Sequence, residues 1–600
     1  MARGIRQKEW QIAKAVPDDA AWLFALYPKS LVQLLTNRKL RDREEIERFL
    51  HPDYARDLHD PFLFRDMEKA IKRIGKAIKE QEKIVVHGDY DADGVCASTV
   101  LVTALRALGA KVDAYLPNRE KEGYGLKEVT VEKLAKKGVT VLITADCGIS
   151  SNEAISRGNA RAIDTIIVDH HHASKILPSA YAILNPVVPD ESYPFKYLAA
   201  VGVAFKMVQA LVSDRGMELL DIEVRAINRE ALEKWLLDVV AIATVTDMMP
   251  LVGENRALVS YGLVVLNKTR RTGLKALIEA AGLEMGHTTV NSSNRKQLNA
   301  STIGFQLGPR INAAGRLEHA NGAYDLLMSD QVDQAMAWAQ NLNDINKRRQ
   351  KITEQVMKEA YAQVKDHLDT TPIITAYAPE WHIGVLGLAA GRLLQRYGLP
   401  TMVMSDKNGT ITGSGRSRNG FHLVDALDTM SELFSSYGGH AQACGFTLKE
   451  KKLREEFVER LHTYAKKVFQ KHPPQEILLI DAVLTLQELT WELYEILQKF
   501  EPFGQANPQP KFLIEQATIL DTQTVGNGKH LKLLLGQDGA VARRAIGFSM
   551  GEQWFTKLTK NDTVDVETEL MLNEWQGNKE LQLRLVDIKK HTTGAVSVNS

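Results

Sequence analysis

Ile84-Val85-Val86-His87-Gly88-Asp89-Tyr90-Asp91-Ala92-Asp93-Gly94 sets three apolar residues directly before a histidine and three aspartates. A short apolar run bounded by turn signals is the pattern of a fully buried parallel strand. The pattern recurs twice. Val141 to Ile143 leads to Asp146-Cys147-Gly148, and Ile166 to Val168 leads to Asp169-His170-His171-His172. Three such strands predict an open α/β sheet, with carboxylates and imidazoles converging at the carboxyl ends where these sheets bind ligands.

Carboxylates joined by one or two imidazoles suit Mn²⁺ or Mg²⁺, whereas structural zinc wants thiolates. The chain has three cysteines, Cys96, Cys147 and Cys444, with no CxxC pair among them. Structural zinc and a disulfide framework are therefore not expected. Two divalent ions roughly 3.5 to 4 Å apart can clamp the attacking and leaving oxygens of a displacement at phosphorus, so phosphodiester hydrolysis is the first hypothesis. A calcium loop is the competing reading, because Asp89, Asp91, Asp93 and Gly94 fill four positions of the EF-hand pattern. It fails at the position of the bidentate glutamate, which is Val100, and at its entry from a strand-like run. The histidine run is internal and follows a buried-strand pattern, which sets it apart from a surface tag.

The 600 residues carry a formal net charge of +1, so nucleic acid would have to be held by local patches and by metals. No secretory pattern follows Met1, and the apolar stretch near Trp235 to Val245 is far short of the roughly 20 residues that span a bilayer. A cytoplasmic protein without membrane contact is expected. The chain has no GxxxxGK[ST] loop, and no GxGxxG follows a strand at a dinucleotide crossover. An ATP-driven helicase and a dehydrogenase are both disfavoured.

Residues 1–80 read as a polar helical segment, and from Lys83 to about Asn185 strands alternate with helices. Helical patterns at Leu198 to Ser213 and Ala231 to Val245 follow, the second delivering Asp247 just before Pro250. Val332 to Leu368 is one long amphipathic pattern, read as a rigid strut between domains. A second alternating region begins near Thr371 and contains Gly413-Ser414-Gly415-Arg416-Ser417. There glycine backbone, serine hydroxyls and the Arg416 fork could hold an anion. Pro502, Pro508 and Pro510 read as a linker. Five strand-like runs then suit a small OB-type barrel, which commonly binds single strands.

In this order the motifs resemble the DHH phosphoesterase superfamily and, within it, the RecJ family of single-stranded-DNA-specific exonucleases. The resemblance rests on DYDADG, DCG and DHH, on Ala243 to Leu251 (ATVTDMMPL), Gly308 to Arg316 (GPRINAAGR) and Gly413 to Ser417 (GSGRS), and on Gly438-Gly439-His440. It departs at Ala506, where the family usually has glycine.

The resemblance implies an α/β fold of two lobes, DHH (81–330) and DHHA1 (371–470), joined by a long helix (331–370) around a catalytic cleft. A linker and OB-fold domain (471–600) complete the expectation. It implies two ions, Mn²⁺ or Mg²⁺, one held by His87, Asp91 and Asp146 and the other by Asp93, Asp146, His170 and Asp247. Asp89 and Asp169 would orient these ligands, and His171 would bind or protonate the scissile phosphate. Arg119, Arg310, Asn312, Arg316, Ser414, Arg416 and His440 would hold substrate, with Arg119, Ser414 and Arg416 at a terminal 5′ phosphate. The implied activity is 5′ to 3′ degradation of single-stranded DNA to mononucleotides in DNA repair and recombination. The chain would act as a monomer, with single-strand-binding protein and a RecQ-type helicase as partners. Two alternatives stay open: a phosphoesterase of the same superfamily acting on short oligonucleotides or cyclic dinucleotides, and a non-catalytic nucleic-acid-binding scaffold.

Overall fold

The computed structural model describes residues 8–591 except 174–175, 223–226, 285–296, 408, 419, 472–476, 538, 540 and 576–577. The chain divides into two compact units. In the larger, five parallel strands lie in the order β2-β1-β3-β4-β5: β1 (Lys83–Gly88), β2 (Lys111–Tyr115), β3 (Val139–Ala145), β4 (Asp164–Val168) and β5 (Ala182–Leu184). The three apolar runs read from the sequence form β1, β3 and β4. Their central residues, Val86, Ile143 and Ile167 among them, are fully buried, because a parallel sheet is covered on both faces.

Helix α1 (Ala92–Ala107) follows β1 and packs against α2 (Ala200–Val212) and α3 (Leu237–Thr246). Most of its residues are buried, so it reads as uniformly apolar instead of amphipathic. The single helical pattern expected from Ala231 to Val245 is two helices, Arg229–Trp235 and α3, with Leu236 between them. Helix α4 (Gly253–Leu266) runs back along α3. Among the described residues no helix is long and apolar enough to cross a membrane.

The long helix α5 covers Val332–Val364, a few residues short of expectation. Its later part is not a bare strut. Val356 and Ala360 pack against Trp381, Val385, Leu386 and Ala389 inside the smaller unit. That unit holds a five-stranded sheet in the order β9-β10-β8-β7-β6: β6 (Ile374–Tyr377), β7 (Thr401–Lys407), β8 (Thr410–Arg416), β9 (Phe434–His440) and β10 (Ala443–Leu448). Helix α6 (Ile383–Tyr397) covers it.

The carboxyl-terminal strands close into a barrel. β11 (Phe512–Val525), β12 (His530–Gly536), β13 (Arg543–Gly547), β14 (Thr563–Trp575) and β15 (Asn578–Lys590) pair in the order β11-β12-β13-β15-β14, and β11 pairs back to β14. Closure removes the exposed edges of so small a sheet.

Two expectations are corrected here. The amino-terminal segment is not a helical module of its own. It includes a strand, Glu9–Ile12, and its Leu31, Leu34, Leu35, Ile46 and Phe49 share one apolar core with Leu486, Phe512, Leu533, Leu570 and Leu583. The proline-marked stretch is not a free linker either, because Asn507 is fully buried within it. Prolines mark its turns, but the Asn507 side chain faces inward.

Candidate metal and phosphate site

β1 ends at Gly88, and the chain enters α1 through the three aspartates. Asp91 caps the helix, accepting from the N–H groups of Asp93 (2.9 Å) and Gly94 (3.3 Å). Capping places a carboxylate at the positive end of the helix dipole. Asn312 adds a second acceptor, taking the Ala92 N–H at 2.8 Å. Gly94 is required by close approach, since a Cβ there would lie 2.4 Å from the Asp89 backbone nitrogen. Asp93 points inward and caps a different helix, its two oxygens accepting from Ala200 N (2.7 Å) and Val201 N (2.9 Å) at the start of α2.

After β3, Asp146 adopts φ 66°, and its N–H reaches the Val168 carbonyl at 3.0 Å. A left-handed aspartate is strained, and strain of this kind gathers at functional sites. Gly148 follows at φ 112°, where a Cβ would meet Thr144 Oγ1 at 2.5 Å. After β4, buried Asp169 accepts four bonds. Oδ1 takes His170 N (2.8 Å), His171 N (3.1 Å) and His171 Nδ1 (2.8 Å), and Oδ2 takes Ile149 N (3.1 Å). Asp247 arrives from elsewhere, as the C-cap of α3.

These donors gather closely. Among the described residues three sets have ligand atoms mutually within 4.8 Å: Asp89, Asp91 and Asp146; Asp93, His170 and Asp247; and Asp146, His170 and His171. His170 Nε2 lies 3.2 Å from Asp146 Oδ1, 3.7 Å from Asp247 Oδ2 and 3.8 Å from Asp93 Oδ2. His87 is in none of the three sets, and Asp89, expected to orient ligands from outside, stands with Asp91 and Asp146. The His87 ring is buried, its Nδ1 3.5 Å from Cys147 Sγ.

Burial, and then neighbouring carboxylates, raise Asp146, Asp89 and Asp247 well above the ordinary range, and lift Asp93 to about 7. Burial lowers His87 and His170 to about 4, which keeps both imidazoles neutral and able to coordinate. His171 differs. Burial lowers it, but its bond to Asp169 and the charges of Asp169, Asp93 and Asp91 outweigh that and leave it raised.

Buried carboxylates at such separations need a cation or protons between them. His87 Nε2, Asp89 Oδ1 and Asp146 Oδ1 are buried and make no hydrogen bond, the state expected of atoms reserved for coordination. An oxygen-rich set with imidazole fits Mn²⁺ or Mg²⁺, and membership of Asp146 and His170 in two sets each fits adjacent ions.

The other expected residues divide between the units. Arg119 stacks over the Tyr90 ring at 5.0 Å, beside the aspartate loop. Arg310 is half-buried and donates to the Gln306 carbonyl (2.7 Å), and burial lowers its pKa. Arg316, Ser414, Arg416 and His440 lie in the smaller unit.

There residues 413–416 do not form the glycine turn that their composition suggests. Residues 413–416 belong to strand β8, paired on both sides, so their backbone is engaged in a ladder. Gly413 and Gly415 make room for Phe446 and for Met402 with Cys444 on one face. Ser414 and Arg416 face the other way, toward Gly387 of α6. His440 is exposed at the end of β9.

Tyr124 escaped the sequence reading. Its hydroxyl lies 3.2 Å from His171 Nδ1 and donates to the Asp146 carbonyl at 3.3 Å. The available signal was its place between Gly123 and Gly125, both at positive φ, where a tight reversal presents the ring.

Fold and site define a phosphoesterase of the DHH type. Residues 83–244 match the profile of the DHH family N-terminal domain, 370–467 that of the DHHA1 domain, and 480–587 that of the RecJ OB domain. Single-stranded-DNA-specific exonuclease RecJ of Bacillus subtilis (strain 168) is 35% identical over 561 residues, covering 93% of this chain and 67% of that protein. The RecJ of Escherichia coli (strain K12) is 32% identical over 597 residues, covering 97% and 99%. The crystal structure of RecJ in complex with Mn²⁺ from Thermus thermophilus matches with TM-score 0.80 and 28% identity, over 97% of this chain and 80% of that one. The chain belongs to the RecJ family of single-stranded-DNA-specific exonucleases.

Proposed function

We propose that this chain is a two-metal exonuclease that degrades single-stranded DNA from its 5′ end to mononucleotides in DNA repair and recombination. The observation that carries the reading is the buried, unbonded Oδ1 of Asp146, a carboxylate common to two of the three ligand sets. In this reading Asp91 and Asp146, with His87 or Asp89, hold one ion, and Asp93, Asp146, His170 and Asp247 hold the other. Mn²⁺ or Mg²⁺, the ions named with the Thermus RecJ crystal structures, would supply Lewis acidity there for displacement at phosphorus.

The chain's own groups do the rest. Asp169 fixes the His171 ring through Nδ1, which turns Nε2 toward substrate to bind or protonate a phosphate oxygen as charge develops. Tyr124 steadies the same ring. Arg119 binds a terminal phosphate, since a bidentate guanidinium favours the more highly charged 5′ terminus, and within the smaller unit Ser414 and Arg416 offer a hydroxyl and a guanidinium to substrate phosphate. Arg310, Asn312, Arg316 and His440 belong to the substrate path, and the barrel holds the strand beyond. A nuclease restricted to single strands needs its substrate opened and uncoated, which makes a RecQ-type helicase and single-strand-binding protein the expected partners of a cytoplasmic monomer.

The test is Mn²⁺-dependent hydrolysis of end-labelled 5′-phosphoryl and 5′-hydroxyl single strands, duplex, dinucleotide and pyrophosphate. Mononucleotide release from the 5′ end of single strands is expected, and Asp146→Ala should abolish it in a folded chain. Cleavage confined to the dinucleotide or pyrophosphate, or undiminished in Asp146→Ala, refutes the reading.

A further inference from the structure

The loop after Asp247 is fastened to a turn far along the chain: Leu251 donates its backbone N–H to the Gln505 carbonyl at 2.8 Å. We propose that the Gly504–Asn507 turn is a positioning element for Asp247, so that the stretch leading into the barrel sets the geometry of one metal site. The inference rests on the reading of Asp247 as a metal ligand.

Side chains hold the chain on both sides of the turn by satisfying the carbonyls of Lys499, Phe500, Glu501, Pro502 and Pro508. Arg256, on α4, is fully buried and donates Nη1 to Phe500 O (3.0 Å) and Nη2 to Lys499 O (3.0 Å) and Glu501 O (2.7 Å). Its Nε donates to Phe49 O at 2.7 Å. Asn507 closes the turn on itself, donating Nδ2 to Phe500 O (2.8 Å) and Pro502 O (2.9 Å) and exchanging backbone bonds with Gly504. Arg38 locks it from the amino-terminal segment, donating Nε to Asn507 Oδ1 (2.8 Å) and Nη2 to Pro508 O (2.7 Å). An unpaired buried guanidinium would be costly, so the four carbonyls and Arg256 fix one another.

Two routes lead from this turn to Asp247. Along the backbone, Leu251 is four residues on, past Met248 at φ 57° and past Pro250, whose carbonyl is held by Asn255 Nδ2 at 3.1 Å. Through packing, Gly504 abuts the Leu251 side chain, where a Cβ at 504 would come within 2.6 Å of Leu251 Cδ1. Leu251 is buried against Val259 and Ala300, with Val245 and Leu263 packed on them. It cannot swing into solvent, so crowding it pushes on Val245, two residues before Asp247 in the last turn of α3. A tether that only spaced two domains would need neither the bond nor the glycine.

The test is Mn²⁺ titration calorimetry of the full chain, with melting curves, for wild type, Gly504→Ala, Asp247→Ala and the double variant. Leu570→Ala, in the barrel core away from Leu251, controls for lost stability. Gly504→Ala should weaken one of two ions 10- to 100-fold, as outer-shell changes do, and leave the other unchanged. The double variant should bind no worse than Asp247→Ala, and Leu570→Ala should melt lower with native Mn²⁺ affinity. If Gly504→Ala does not fold, Leu251→Val takes its place: losing part of the packing on Val245, it should weaken the same ion. Native affinity at both sites in the substituted turn, or equal weakening of both, overturns the inference while leaving the ligand reading intact. Native affinity in Asp247→Ala overturns the ligand reading and the inference together.

Discussion

Replacing Asp169 by asparagine keeps the shape of a buried side chain and removes half of its accepting capacity. The carboxylate takes four N–H groups, three on Oδ1 and one on Oδ2. An amide has one accepting oxygen. With that oxygen toward the histidines, the amide NH₂ faces the Ile149 N–H donor to donor, leaving a buried group unmet at about 1 to 3 kcal/mol. The other three bonds fall from charge-assisted to ordinary, about 1 kcal/mol each. A local loss of roughly 4 kcal/mol or more is a large part of a domain's stability, so the His170-His171 turn should loosen before the sheet does. His171 then loses the partner that fixes its ring, and cleavage should slow by about 10² to 10⁴, the range for a positioned acid or charge stabiliser. The assay is single-turnover cleavage of a 5′-phosphorylated strand, with urea unfolding and Mn²⁺ calorimetry on the same samples. His171→Ala should bind Mn²⁺ nearly normally, slow cleavage similarly and be non-additive with Asp169→Asn. Cleavage within threefold of wild type in folded Asp169→Asn would refute the positioning argument.

Ala506 sits at φ 61°, a conformation that costs an L-residue about 1 to 2 kcal/mol, part of which glycine returns through its freer unfolded chain. Ala506→Gly should therefore stabilise the chain by about 0.5 to 1 kcal/mol in urea titrations, and a loss of stability would contradict the backbone assignment. Removing everything beyond Pro510 should not yield a short-substrate enzyme, because it strips the core shared with residues 20–50; a soluble, cooperatively melting truncation would show that core to be dispensable. Glu82 is raised by burial, but its bonds to Arg73 (2.7 and 3.2 Å) and to Thr140 outweigh this and leave its pKa below the ordinary 4.5. A depressed carboxylate contributes stability above its unfolded pKa and loses it as pH falls through the folded one. Glu82→Gln should thus cost about 1 to 3 kcal/mol at pH 7 and nothing at the acid end of the same titration, with parallel curves arguing against the pair.

What was legible in the sequence was what local pattern encodes. Ile84 to Val86, Val141 to Ile143 and Ile166 to Val168 are apolar throughout because a parallel sheet is covered twice, and the ligand-type residues follow because the strands end there. Gly413 to Ser417 misled because alternation of glycine with Ser414 and Arg416 is both a turn composition and a period-two strand. Only the bulk of Phe446 and Met402, distant in sequence, shows why the glycines are small. Asp247 was legible as a helix end beside a proline, but the fastening of the following loop to Gln505 through Leu251 was not, since a backbone bond between remote segments leaves no mark on either. Tyr124 was invisible for the same reason: its partners, His171 Nδ1 and the Asp146 carbonyl, are set by the sheet.

The core joining Leu31, Leu34 and Phe49 to Phe512, Leu533 and Leu583 has a consequence for how the molecule is made. A ribosome adding about 5 to 20 residues per second reaches the barrel on the order of half a minute to more than a minute after the first helices emerge. For that interval the apolar face of the amino terminus lacks the barrel half of its core, while β1 to β5 already have theirs. The metal-binding sheet can thus form before the chain's beginning has its full core, and the apolar faces of Leu31, Leu34 and Leu35 stay open until the last strands arrive to cover them.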